Sequence, residues 1–293
     1  MSSPVDASRE PAGSSERSPA RDEVEEIELS LLLEGVYRKY GFDFREYAPA
    51  SLRRRVWRRI YAEHLATISA LQDKLLHDPA CMERLLLDLS INVTAMYRDP
   101  SFYVAFREKV VPLLRTYPFT RIWVAGCSTG EEVYSLAILL QEEELYARTR
   151  IYATDINESV LERARSGVFP LDKMREYTQN YIKAGGKRAF SEYYLAKYDG
   201  AQFQRSLIEN VVFAQHNLVS DRSFNEFNVI ICRNVMIYFD RSLQERVLSL
   251  FDESLVTLGV LALGHKETLR FSSLALRYEE VDAAEKIYRK KAS

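Results

Sequence analysis

Residues 124–139, VAGCSTGEEVYSLAIL, put a glycine-spaced turn, a serine between glycines and two carboxylates directly ahead of an apolar run. Three readings compete. Gly126-Cys127-Ser128-Thr129-Gly130 fits G-x-S-x-G, the strained strand-to-helix turn that exposes a nucleophilic serine in α/β-hydrolases. That chemistry needs an acid and then a histidine downstream, and Asp155 with His216 or His265 has the order. Cys127 as the nucleophile is weaker, because no histidine is tied to it by sequence. In the second reading a strand ends near Ala125, the glycines bring backbone close to a ligand, and a helix opens at Glu131. A second strand, RIYATDI, then ends in Asp155, where nucleotide-binding folds grip ribose hydroxyls. The third reading is a structural glycine corner with solvated glutamates.

Charge separates the ligands that such a cradle could hold. A dinucleotide sets its pyrophosphate at the helix N-terminus, where Glu131 and Glu132 repel it. S-adenosylmethionine has no phosphate, and its amino and sulfonium groups are cations that acidic residues tolerate or attract. The stretch leans toward methyl transfer.

A second feature is basic. In SLRRRVWRRIYAEHL, Leu52, Val56 and Ile60 repeat every four residues as a buried stripe, leaving Arg53, Arg54, Arg55, Arg58 and Arg59 mainly on other faces. This strip suits an acidic helical protein substrate. A solvated face is the plainer alternative, and RNA is a third, although stacking aromatics beside the strip are few.

The elements that must position these residues follow from composition and periodicity. A chain of 293 residues, 47% hydrophobic, suits one large α/β unit with a smaller partner. A net charge of −2 gives no global field for nucleic acid, and neither nucleic-acid binding nor membrane insertion is expected. Cys81, Cys127 and Cys232 are widely spaced and lack metal-ligand spacing, which reads as a reduced, cytoplasmic chain with no metal site. The N-terminus has no apolar signal core, and no run reaches the ~18 apolar residues of a membrane span.

Residues 1–24, rich in Ser, Pro, Arg and Glu, are expected to be a disordered tail. Helical periodicity over 25–90 predicts a small all-helical domain. An interdomain linker and helix follow over 91–117, with Asp99 as a helix cap and Pro100 at the first helical position. From 118 to 293, short β-rich runs alternate with helical ones, which predicts right-handed βαβ units and a parallel, doubly wound sheet. The alternation breaks at about 172–214, where an Asp-Gly turn between aromatic and β-branched stretches predicts a small antiparallel insert. GVLALGH and EKIYRKK read as two final strands.

Five separated segments, INVTAMYRDPSFY, IWVAGCSTGEEVYSLAI, YATDINESVLERARSGVF, NVIICRNVMIYFDRSLQERVL and LGHKETL, resemble the CheR-type chemotaxis protein-glutamate methyltransferases in the order of that family. The resemblance spans about residues 27–290. It implies a Rossmann-like class I methyltransferase domain behind a helical one, with S-adenosylmethionine as methyl donor, S-adenosylhomocysteine as product, and glutamates of a chemoreceptor cytoplasmic domain as acceptors. By matching position it implies Asn92, Thr94 and Arg98 over the cofactor, Glu132 after the glycine turn and Asp155 on the ribose. Asn217 and Leu218 flank the adenine, and Arg233 and Asn234 close the site. Tyr238 matches the family tyrosine near the transferred methyl, so Arg98 and Tyr238 are the expected catalytic pair.

Two departures matter. The segment around AKYDGAQFQ is shorter than the glycine-containing loop of members that dock a receptor's C-terminal pentapeptide, so tethering of that kind is not expected. Thr257-Leu258-Gly259 replaces the family's Pro-Gly-Gly turn, a change expected to be tolerated. A non-catalytic cofactor-binding scaffold, and a methyltransferase for RNA or a small molecule, stand as the alternative functions.

Overall fold

The computed structural model describes residues 19–89, 94–198 and 200–292. Four helices form the N-terminal unit: α1 (Pro19–Tyr40), α2 (Pro49–Ala62), α3 (Ile68–His77) and α4 (Pro79–Leu89). Leu32 and Val36 of α1, Leu52, Val56 and Ile60 of α2, and Leu71 and Leu85 of α3 and α4 share one core. The boundaries follow local chemistry. Proline opens α2 and α4, where its missing N–H costs nothing. The Thr67 hydroxyl caps α3 by accepting from the Ala70 N–H. Helix α1 begins at Pro19, inside the stretch expected to be a tail, and residues 1–18 lie outside the described residues.

The connecting segment is α5 (Pro100–Ala105), a π turn over Phe106–Val110, and α6 (Val111–Leu114). Pro100 does start the helix, but Asp99 makes no side-chain cap bond. Its φ is +56° and its carboxylate is turned away to Arg233. The expected capping role is therefore corrected: an ion pair with a buried guanidinium has displaced the cap.

Strands and helices then run β1 (Thr120–Ala125), α7 (Glu131–Glu142), β2 (Thr149–Asp155), α8 (Glu158–Ser166), β3 (Val168–Pro170), α9 (Met174–Lys183), β4 (Tyr194–Lys197), β5 (Gly200–Phe203), β6 (Val211–Gln215), β7 (Phe227–Cys232), α10 (Arg241–Ser254), β8 (Leu255–Leu263), β9 (Tyr278–Asp282) and β10 (Ile287–Lys290). Seven strands form one sheet in the order β6-β2-β1-β7-β8-β10-β9. The first five are parallel, and β10 runs antiparallel to both neighbours. Apolar cores cover the two faces, one including α7 and the other α10. This is the expected class I architecture.

Two boundaries differ from the sequence reading. Strand β6 pairs in parallel with β2 and so belongs to the main sheet; the antiparallel insert is the β3-β5-β4 sheet with α9. Its aromatic stretches seal against α7, where Glu142 accepts from the hydroxyls of Tyr181 and Tyr193 and pairs with Arg107. The C-terminal end holds three strands and not two, because β9 completes the edge beside β10. Its sequence, YEEVD, has too short an apolar pattern to announce a strand.

Candidate active site

Strands β1, β2, β6 and β7 end on the same edge, and the order reverses between β1 and β7, which opens a crevice at the switch point. The cleft there is lined by Gly126 and Ser128 after β1, Asp155 at the end of β2, Asn217 and Leu218 after β6, and Arg233, Asn234 and Tyr238 after β7. Thr94, Arg98 and Glu132 complete the expected set on its wall. Asn92 lies outside the described residues.

The glycine turn is built to approach something. Gly126 and Cys127 donate N–H bonds to the Thr154 carbonyl, at 2.8 and 2.9 Å. Gly126 has φ +76°, and a Cβ there would stand 2.4 Å from Val235 Cγ2, so glycine is required. Asp155 accepts from Ser128 N–H through one oxygen (2.9 Å) and from Asn157 N–H through the other (3.1 Å). Each oxygen keeps a lone pair for a ligand hydroxyl. Burial pushes the Asp155 carboxyl up, against those two N–H bonds. The Asn217 side chain accepts from Val219 N–H, while the Asn217 backbone N–H donates to the Asp221 carboxylate. That turn sets Leu218 on the wall.

Glu132 is the charge at the centre. Burial raises its pKa, and Arg233 and Arg98 hold it down. Arg233 is 6% exposed; its guanidinium reaches Glu132 at 3.1 Å, Asp99 at 2.8 Å and the Arg98 carbonyl at 3.3 Å, and it lies over the Phe102 ring. Two carboxylates thus neutralise one guanidinium inside the protein, and Asp155 adds a further negative charge to the cleft. Arg98 lines the same cleft with a positive charge, so Glu132 and Asp155 supply local negative sites and not a net negative field.

The helical domain supplies the opposite wall through Tyr47 and Leu89. Its attachment is a short antiparallel contact in which Ala48 N–H donates to the Tyr238 carbonyl and Asp240 N–H to the Glu46 carbonyl, each at 2.9 Å. The Tyr47 ring packs 4.9 Å from that of Phe239. The arginine strip divides along this contact. Arg55 is 4% exposed, stacks over the Tyr238 ring and donates to the Leu89 carbonyl at 2.5 Å. Arg59 is held by Asp88 and Glu63, and Arg53 pairs with Glu25 and Glu26. Only Arg54 and Arg58 are exposed, Arg58 at 3.6 Å from Asp88. A substrate-facing role for Arg55 is therefore corrected, since it is buried between the domains.

Comparison with known proteins decides what the cleft is. The model of the CheR methyltransferase SAM-binding domain matches residues 92–285, and that of the CheR methyltransferase all-alpha domain matches 27–90. The chain belongs to the CheR methyltransferase family. It is 50% identical to the Cher3 protein of Pseudomonas putida over 265 residues, covering 90% of this chain and 97% of that one. It is 30% identical to the chemotaxis protein methyltransferase of Salmonella typhimurium over 256 residues, 83% of each chain. The cofactor of this CheR-type chain is S-adenosylmethionine.

The CheR fold also disposes of the other readings of the glycine turn. His216 engages the Arg222 carbonyl through Nε2 and makes no bond through Nδ1, and His265 engages Glu285, so neither imidazole is bonded to Ser128 as a base. Burial pushes the Cys127 thiol well up, which removes it as a nucleophile. Glu131 turns inward to the hydroxyls of Thr129 and Tyr177 and leaves the cleft to Glu132. Sequence reasoning missed Tyr47 and Glu267 and gave Asp99 only a capping role. A signal for Glu267 was present in LGHKETL, one of the matching segments, without any role attached.

Proposed function

We propose that this protein is a cytoplasmic protein-glutamate O-methyltransferase that acts on an acidic helical surface such as a chemoreceptor cytoplasmic domain. The observation that carries the reading is the pairing of an acidic cofactor wall, Glu132 and Asp155, with Arg98 and Tyr238 in the same cleft. When bound, S-adenosylmethionine supplies an electrophilic methyl group on a sulfonium. Asp155 would hold the ribose hydroxyls, Asn217 and Leu218 would flank the adenine, and Glu132 with Thr94 would face the cationic end. Arg233 and Asn234 close that end, with Arg233 neutralised by its two carboxylates.

Arg98 and Tyr238 orient the acceptor carboxylate by a charge-assisted and a neutral hydrogen bond. The acceptor is already ionised at neutral pH, so no general base is required. Charge is neutralised as the methyl group moves, and a cleft that excludes water favours that change. Tyr47 and Leu89 provide the excluding wall from the helical domain. Arg54 and Arg58, the two exposed arginines of α2, meet the acidic substrate.

The insert supports independence from a pentapeptide tether. Strands β4 and β5 pair Lys197 with Gly200, so two residues join them and no glycine-containing loop intervenes. Incubation with labelled cofactor and total membranes, followed by alkali, is the test: label released as methanol marks a glutamyl ester. Base-stable label, or none, would sink the reading.

A further inference from the structure

One buried carboxylate does not line the cleft, yet it holds the segment that does. Glu267 is 5% exposed, in the turn after β8. Its Oε1 accepts from the N–H groups of Val235 (2.9 Å) and Met236 (2.7 Å). Its Oε2 accepts from Asn234 N–H (2.9 Å) and Gly264 N–H (2.6 Å). Consecutive N–H groups pointing one way form an anion nest, and here the nest is filled by a side chain of the protein itself. Asn234 sits at φ +62°, a left-handed conformation that a non-glycine residue holds only when its surroundings fix it.

The turn is also wedged. A Cβ at Gly264 would meet Glu267 Oε2 at 2.7 Å and Asn234 N at 2.8 Å, and one at Gly126 would meet Val235 Cγ2 at 2.4 Å. The turn therefore touches the glycine turn of the cofactor cradle on one side and the Glu267 turn on the other. Arg233, Asn234, Val235 and Tyr238 all enter the cleft from it.

We infer that Glu267 is a positioning residue: its carboxylate fixes the Arg233–Tyr238 turn in the conformation that binds the cofactor, before the cofactor arrives. Charge-assisted bonds to N–H groups are the strong kind. Removing one acceptor leaves buried N–H groups without partners, which drives the turn to rearrange. The inference rests on the cleft being the S-adenosylmethionine site and is independent of the acceptor proposed above.

The test is titration calorimetry of S-adenosylhomocysteine on the full chain. Glu267→Gln keeps the shape and replaces one acceptor oxygen with an N–H donor that faces the nest. It is expected to raise the Kd at least tenfold, with Glu267→Asp, which keeps the charge on a shorter stem, falling between it and wild type. Asp252→Asn, which weakens a buried cluster with Arg277, Tyr278 and Lys290 outside the cleft lining, serves as a control that lowers Tm and leaves the Kd unchanged. A Glu267→Gln protein that melts lower but binds within twofold of wild type overturns the inference. If that variant does not fold, amide exchange of the wild type decides. The Asn234, Val235 and Met236 N–H groups are expected to be protected without ligand, and free exchange there overturns it equally. Wild-type protein that fails to bind S-adenosylhomocysteine would instead remove the cofactor assignment.

Discussion

The Arg55 guanidinium lies 4.4 Å from the centroid of the Tyr238 ring, so a residue of the helical domain backs a residue of the methyltransferase cleft. Burial lowers the Arg55 pKa, against the pull of Tyr238. A desolvated cation over an aromatic face contributes about 2 kcal/mol. The two domains are thus coupled at the residue proposed to orient the acceptor.

Arg55→Ala should therefore act on turnover more than on cofactor binding. The expected result is a kcat at least tenfold lower, with the S-adenosylhomocysteine Kd within threefold of wild type and a lower Tm. Arg54→Ala, on the exposed face, is expected to raise only the KM for protein substrate, and more so at low salt. Equal effects of the two substitutions on kcat would show that Arg55 does not act through Tyr238.

The reading of α2 shows how much of the site was legible. Leu52, Val56 and Ile60 mark the buried stripe, but Arg55 and Arg59 complete the i, i+3, i+4, i+7, i+8 pattern of the same face. Taking polarity as a sign of exposure hid them; periodicity alone pointed inward. Gly126 and Asp155 were legible because a strand end, a glycine and a carboxylate follow each other within one βαβ unit. Glu267 and Asp99 were not, because their partners are 31–33 and 134 residues away and only the sheet brings them together. The limits of the insert were misread for a similar reason: VVFAQ has the same local pattern in an insert as in the main sheet, and only its pairing with β2 tells them apart.

Cofactor affinity should depend on pH with a definite sign. Burial raises the carboxyls of Glu132 and Asp155 above their ordinary values, so in the free protein each gives up its proton at a higher pH than a solvated carboxyl does. For the fold alone, a raised carboxyl contributes stability below its ordinary pKa that is lost as pH rises through the raised value. A cationic ligand reverses the preference by favouring the ionised form. Calorimetry of S-adenosylmethionine should give tighter binding as pH rises from about 5 to 7. S-adenosylhomocysteine, which lacks the sulfonium charge, should show a smaller change. Equal slopes for the two ligands would contradict a cleft tuned to the sulfonium.

Leu258 stands where the family turn has a glycine, and it takes φ +64° in an irregular stretch of β8. A left-handed L-residue costs about 1–2 kcal/mol, and glycine returns part of that as chain entropy on folding. Leu258→Gly is expected to stabilise the protein by about 0.5–1 kcal/mol. Urea unfolding should show a higher midpoint with an unchanged m-value, and S-adenosylhomocysteine binding should be unaffected. A lower midpoint would mean that the half-exposed Leu258 side chain packs better than its backbone suffers.

Acid should loosen the helical domain through Glu63. Its carboxylate accepts from Arg84 and Lys74, each at 2.7 Å, and from Arg59 at 3.2 Å. These partners, Arg84 first, hold its pKa down to about 2. A depressed carboxyl contributes stability that is present above its ordinary pKa and lost as pH falls toward the depressed value. The wild-type Tm should therefore fall between about pH 4.5 and 2, whereas Glu63→Gln should start lower at pH 7 and lose less over the same window. Arg59 links this cluster to Asp88 on α4, the helix that ends at Leu89 on the cleft wall. Acid should thus release the Leu89 wall together with the cluster. Tryptophan fluorescence should report it, because Trp57 ties α2 to α1 through Glu25 in the helical domain and Trp123 is buried in the sheet. A single cooperative transition with identical pH dependence in wild type and Glu63→Gln would exclude the cluster as its origin.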